Sequence, residues 1–191
     1  MIGESQLNIY IVGADSLPPR LKERLQVQVQ QALRAIPQWA LDLLRPRLAE
    51  LGLASLPIII EPQLEAVAKP YAFSVGTLGD KPAVYLMPVI RDGEIDWRQE
   101  RRHLLAKALA YLAAPRPEED ELFWKRWEEA IEQDGLGAMA SQADQRWQGA
   151  RPFDLLIEMF AAYALSPRHR SWKGLPAVRA FLEEWKAAGQ R

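Results

Sequence analysis

Two stretches of this chain carry ionisable side chains where everything around them is apolar. In FDLLIEMFAAYAL, Phe153 to Leu165, Asp154 and Glu158 are the only charged residues. Four positions apart, they stack on one face of a helix. In HLLAKALAYLAA, His103 to Ala114, the residues His103, Lys107 and Tyr111 recur at i, i+4 and i+8, and every other position is Leu or Ala. They form one stripe as well. A helix that is apolar all round is a buried one, and a buried carboxylate needs a cation, a metal, hydrogen-bond donors or a proton. If the two stripes face each other, the Lys107 ammonium meets Asp154 or Glu158, with Tyr111 and His103 as nearby donors. Such a cluster is either an ion pair joining two core helices or a site for acid/base chemistry, since these are the groups that such chemistry uses. Removing one partner of a buried pair costs about 3 to 5 kcal/mol, so Lys107→Met is expected to destabilise strongly.

The elements that must position these groups follow from the pattern of the chain. Leu7 to Val12 (LNIYIV) and Leu56 to Glu61 (LPIIIE) read as strands, as do Tyr71 to Val75 and Ala83 to Val89. Gly79-Asp80 supplies a hairpin turn between the last two. Helices are expected over residues 20–35 and 39–51, the second interrupted at Pro46. From residue 95 the hydrophobic period changes from 2 to 3.6, predicting helices over 96–114, 118–133, 153–165 and 175–188. Residues 134–149 read as a loop, with a short helix over 139–147. The fold class is therefore α/β (α+β): a small mixed sheet with N-terminal helices, then a helical C-terminal part, in a single domain spanning 1–191.

Composition narrows the functions available. The chain has 191 residues, 49% apolar and 26% charged, with 24 Lys and Arg against 25 Asp and Glu and a net charge of -1. No basic excess exists to neutralise a nucleic-acid backbone. No cysteine is present, which excludes disulfides, thiolate zinc sites and cysteine nucleophiles together. The stretch Ile9 to Val12 is too short for a signal core or a membrane span, and the expected address is cytoplasmic. Ser141 and Ser166 have no nucleophile-elbow context, and His169 reads as an exposed loop residue. Gly13-Ala14-Asp15 and Gly76 to Gly79 read as turns rather than phosphate loops. Eight acidic residues between Glu118 and Asp134 read as a solvated helix face, and the seven Trp residues as helix-to-helix packing.

The order of elements resembles that of zincin metallopeptidases of the gluzincin type, from about residue 55 to about residue 185. EMFAAYALSP, Glu158 to Pro167, is similar to the glutamate-led segment of bacterial minimal metallopeptidase-like domains, and AVYLMP, Ala83 to Pro88, to the strand along their substrate cleft. In that family a helix carries His-Glu-x-x-His, with two zinc ligands and a general base, and a later helix supplies an acidic third ligand. Asp154 and Glu158 match the later acids by position. The signature itself is missing. One register puts Lys107 and Tyr111 at the histidine positions and Ala108 at the base; the other puts His103 and Lys107 there and Leu104 at the base. The first matches the surrounding apolar residues better.

The resemblance implies a protein without a zinc site and without a cofactor, in which Lys107 stands in for the metal charge. The leading expectation is a catalytically inactive metallopeptidase-like module that binds a peptide or protein, using the free edge of the strand near Ala83 to Val89. An alternative is a hydrolase working through Lys107, Tyr111, Asp154, Glu158 and His103, which needs an open pocket reaching those side chains. Another is a structural or assembly protein, which needs a large apolar surface bearing Trp.

Overall fold

The four strands expected in the sequence form one mixed sheet. In the computed structural model, which describes residues 8–13, 15, 17–50, 55–64, 72–79, 81–136 and 152–189, β1 (Asn8–Gly13) runs parallel to β2 (Ser55–Ile60). The sheet continues from β2 through β5 (Lys81–Leu86), again parallel, to β4 (Phe73–Leu78), which is antiparallel to β5. The strand order is β1-β2-β5-β4, so β4 is an edge and β5 is paired on both sides. Gly79 turns the β4–β5 hairpin with φ +61°, a backbone region that favours glycine; Asp80 lies outside the described residues.

Helix α1 (Pro19–Arg34) starts on a proline, whose missing N–H costs nothing in a first turn, and buries Leu21, Leu25, Val29 and Ala32 along one face. The helix expected over 39–51 is two: α2 (Gln38–Asp42) and α3 (Leu44–Glu50), parted at Leu43. Pro46 sits in the first turn of α3, where no intrahelical donor is lost, so the break falls before it rather than at it. A second small sheet was not expected. It joins β3 (Gln63–Leu64), β6 (Val89–Arg91) and β7 (Glu94–Asp96) in the order β3-β6-β7. It takes the end of the run Ala83 to Val89, because the ladder of β5 stops before Met87 and Pro88.

Helix α4 (Arg101–Ala113) begins five residues later than the expected 96–114, since 94–96 belong to β7. Arg98 holds φ +60° and its N–H donates to Asp96 Oδ1 at 2.8 Å, a local turn that competes with helix. Helix α5 (Glu121–Gln133) is capped by Asp120, whose carboxylate accepts from the Phe123 N–H at 2.9 Å. Then come α6 (Pro152–Leu165), a 3-10 turn over Arg170–Gly174 and α7 (Pro176–Ala188). The short helix expected over 139–147 lies outside the described residues.

The core runs continuously from α1 and the sheet into the C-terminal helices. Trp97, Trp124, Trp127, Trp172 and Trp185 are buried in it, and rings hand contacts from helix to helix: Trp127 to Phe181 at 5.2 Å, Phe160 to Trp185 at 5.0 Å, Tyr163 to Trp172 at 5.5 Å. The indoles of Trp124, Trp127 and Trp172 also donate to backbone carbonyls of Pro115, Pro152 and Ser166. The described tryptophans are mortar, as expected; Trp147 lies outside the described residues. Among the described residues no helix is long and apolar enough to cross a membrane.

Candidate functional site

The all-apolar character of α4 and α6 has the expected result: Leu104 to Ala110 of α4 are buried without a break, and α6 buries Leu155, Leu156, Ile157, Phe160 and Ala161. The alanines let the two helix backbones lie against each other. In the seam between them Lys107 is the one buried charged residue among the described residues. Its Nζ donates to Glu158 Oε1 at 2.8 Å and to Gln99 Oε1 at 2.8 Å. The Phe73 ring of β4 lies 5.7 Å from the same ammonium, close enough for cation–π attraction. His103, one turn earlier on α4, donates from Nε2 to the other Glu158 oxygen at 2.9 Å. One carboxylate thus bridges two groups of α4.

The cluster is built around Glu158 alone, and two expected members are elsewhere. Asp154 is exposed, one turn nearer the start of α6. Tyr111 is 46% exposed, and its ring packs edge-to-face on Phe153 at 4.9 Å. The stripes meet at one turn, where His103 and Lys107 face Glu158, and not at the next. The register that pairs His103 with Lys107 is the one brought against an acid; the preferred one, Lys107 with Tyr111, is not. Gln99 was missed, although it continues the same spacing of four backwards from His103.

Glu158 has its acidity set by this company. Partial burial pushes its carboxyl up, but hydrogen bonds from His103 and Lys107 and the Lys107 charge outweigh that and hold it below the usual carboxylate range. A depressed folded pKa contributes stability that is present above the unfolded value, about 4.3, and is lost as pH falls through the folded one. Chemical denaturation at about pH 5 and about pH 3 is therefore expected to reveal a smaller acid loss in Lys107→Met than in the parent protein. Equal losses would remove Lys107 from the account of Glu158.

Exposure of the three side chains is unequal: 7% for Lys107, 28% for His103 and 34% for Glu158. Water reaches the acid and the imidazole but hardly the ammonium. As donors for zinc the set does not fit. One imidazole and one carboxylate are too few, and the group between them is a cation with no lone pair to give. Among the described residues no three His, Cys, Asp or Glu side chains gather as a metal would require.

A cleft of about 970 Å³ opens beside this seam, and its walls hold the two displaced residues. Val75, Gly76 and Thr77 of β4 line it together with Tyr111, Phe153 and Asp154. Leu44 and Leu48 of α3 and Trp124 of α5 close it from within. Lys107, His103 and Glu158 are not among its lining residues. The strand expected to offer its free edge, near Ala83 to Val89, cannot do so. Residues Lys81–Leu86 lie between β2 and β4, whose ladders occupy both their edges. The edge beside the cleft belongs to β4. His169 is exposed, as expected, and caps the 3-10 turn through the Ser171 N–H.

Compared with protein-family models, curated proteins and solved structures, the chain gives no significant match.

Proposed function

We propose that this chain is a metal-free, catalytically inactive relative of zincin metallopeptidases that works as a peptide- or protein-binding module. The observation that carries the reading is the bridge from Glu158 to both His103 and Lys107. Two residues one turn apart on one helix, facing an acid from a later helix, are the disposition of zincin ligands, here with an ammonium at one ligand position. The Lys107 charge balances the acid that a metal would otherwise hold, and no general base stands in the His103–Lys107 register, where Leu104 takes its position. A mixed sheet whose antiparallel edge strand runs past the same helix supports the reading further, and moves the peptide-binding edge from β5 to β4.

The separation of Tyr111 and Asp154 from the other three weighs against a hydrolase using all of them, because the cleft that those two line does not include His103, Lys107 or Glu158. The packing of the described tryptophans weighs against an assembly role built on an exposed Trp surface.

The test is metal content by elemental mass spectrometry after dialysis against zinc and then buffer. The reading expects zinc far below one equivalent and no peptidase activity with zinc present. Near-stoichiometric zinc that is lost in Glu158→Ala would overturn it.

A further inference from the structure

The cleft beside β4 has a charge balance that the apolar core does not explain. Its unpaired acids come from three elements: Glu118 from the segment before α5, Glu128 from α5 and Asp154 from α6. None of the three has an ion-pair partner among the described residues, and all are exposed. Two cations also line the cleft. Arg47 is engaged by Glu119 at 2.8 Å and Glu50 at 3.2 Å, which neutralise it; Arg116 is the one cation left to oppose the acids. The free balance is acidic in a chain whose net charge is only -1.

Between these acids lies an aromatic wall. Phe153 stacks on Trp124 at 5.4 Å and meets Tyr111 edge-to-face at 4.9 Å, and Tyr111 keeps 46% of its surface exposed. Val75, Gly76 and Thr77 line the cleft too, and belong to a strand with one edge unpaired among the described strands, on which the Thr77 carbonyl already accepts from the Tyr85 hydroxyl at 2.5 Å and Val75 stands ready to pair. A row of backbone donors and acceptors, an exposed ring and unpaired carboxylates around one concavity ask for complementary parts in the occupant. The edge asks for extended backbone. The ring and the carboxylates ask for a long side chain with an apolar stem and a cationic head.

We infer that the cleft takes an extended peptide that pairs with β4 and carries a Lys or Arg side chain, its stem against Tyr111 and Phe153 and its head between Asp154 and Glu128. This deepens the peptide-binding reading and rests on it. A free small cation would satisfy the acids and leave the strand edge unused, which is why the occupant is a peptide.

The experiment is fluorescence anisotropy on the whole chain with fluorescein-labelled Thr-Val-Xaa-Val-Thr peptides in which Xaa is Arg, Leu or Glu. One cation–π contact and one exposed ion pair together are expected to make the Arg peptide bind about tenfold more tightly than the Glu peptide, a preference that shrinks as salt is raised. The double variant Asp154→Asn, Glu128→Gln is expected to lose the preference. N-methylation of alternate peptide amides is expected to abolish binding by removing the strand pairing. Equal affinity for the three peptides overturns the basic preference and leaves the peptide-binding reading standing. Arginine amide competing as well as the Arg peptide, or indifference to N-methylation, overturns the paired peptide as occupant. Binding by none of the peptides overturns this inference, whereas the reading it rests on is overturned by stoichiometric zinc held through Glu158.

Discussion

Glu158→Ala is expected to cost the fold about 2 to 3 kcal/mol, whereas Lys107→Met costs less than about 1 kcal/mol. A pair deduced from spacing alone has no inside and outside, and Lys107→Met then looks as damaging as its counterpart. The structure gives the pair a direction. Lys107 is the member cut off from water, at 7% side-chain exposure, and Glu158 the member that reaches it, at 34%. Taking away Glu158 leaves a buried ammonium with the Gln99 carbonyl as its remaining partner. Taking away Lys107 leaves a carboxylate that keeps His103 and can be hydrated, while methionine fills the seam with nearly the same shape. Because Glu158 is partly solvated, the cost of losing it is set below the 3 to 5 kcal/mol typical of a fully buried break. Replacing both, as Lys107→Met with Glu158→Leu, is expected to recover most of the loss, since an apolar pair needs no compensation. Urea unfolding of the four proteins measures this directly. A Lys107→Met loss as large as that of Glu158→Ala would mean that water does not replace the lysine as partner of Glu158.

Trp127→Ala is expected to have the largest effect, a loss of about 3 to 5 kcal/mol. The side chain is fully buried, packs against Phe181 at 5.2 Å and donates from its indole to the Pro152 carbonyl at 2.7 Å. It therefore ties α5 and α7 to the first turn of α6. Trp127→Phe separates the two contributions. It keeps much of the apolar contact and removes the second donor on a carbonyl that also accepts within its own helix, so about 0.5 to 1.5 kcal/mol is expected. Pro152 and Phe153 also line the cleft, so the indole bond braces the turn that holds Phe153 between Tyr111 and Trp124. A loss near zero in urea unfolding of Trp127→Phe would mean that the indole bond holds nothing in place.

Local pattern carried much of the architecture. The period-2 runs at Leu56 and Ala83 became β2 and β5, the Gly79 turn became their neighbouring hairpin, and the four C-terminal helices appeared within a few residues of where the 3.6 period put them. What local pattern lacked was competition between elements. The start of α4 moved because Asp96 and Arg98 form a turn, and the run Ala83 to Val89 was divided between two sheets at Met87 and Pro88. Nor does the sequence of one strand say which neighbour takes which edge. AVYL reads as a strand whether central or peripheral, and β2 and β4 decided that it is central.

For the site, residue type and spacing determined that α4 and α6 are buried, that each carries one polar stripe, and that a lysine meets an acid if the stripes face. Those are consequences of period and of the cost of burying charge, both readable along one chain. Tertiary structure alone decided that the acid is Glu158, that Gln99 and His103 complete its company, and that Tyr111 and Asp154 turn outward to line the cleft with β4. The reason is geometric. Two straight stripes on crossing helices can touch over about one turn, and where that turn falls depends on the crossing angle and on the elements packed around it, which no spacing within either helix encodes.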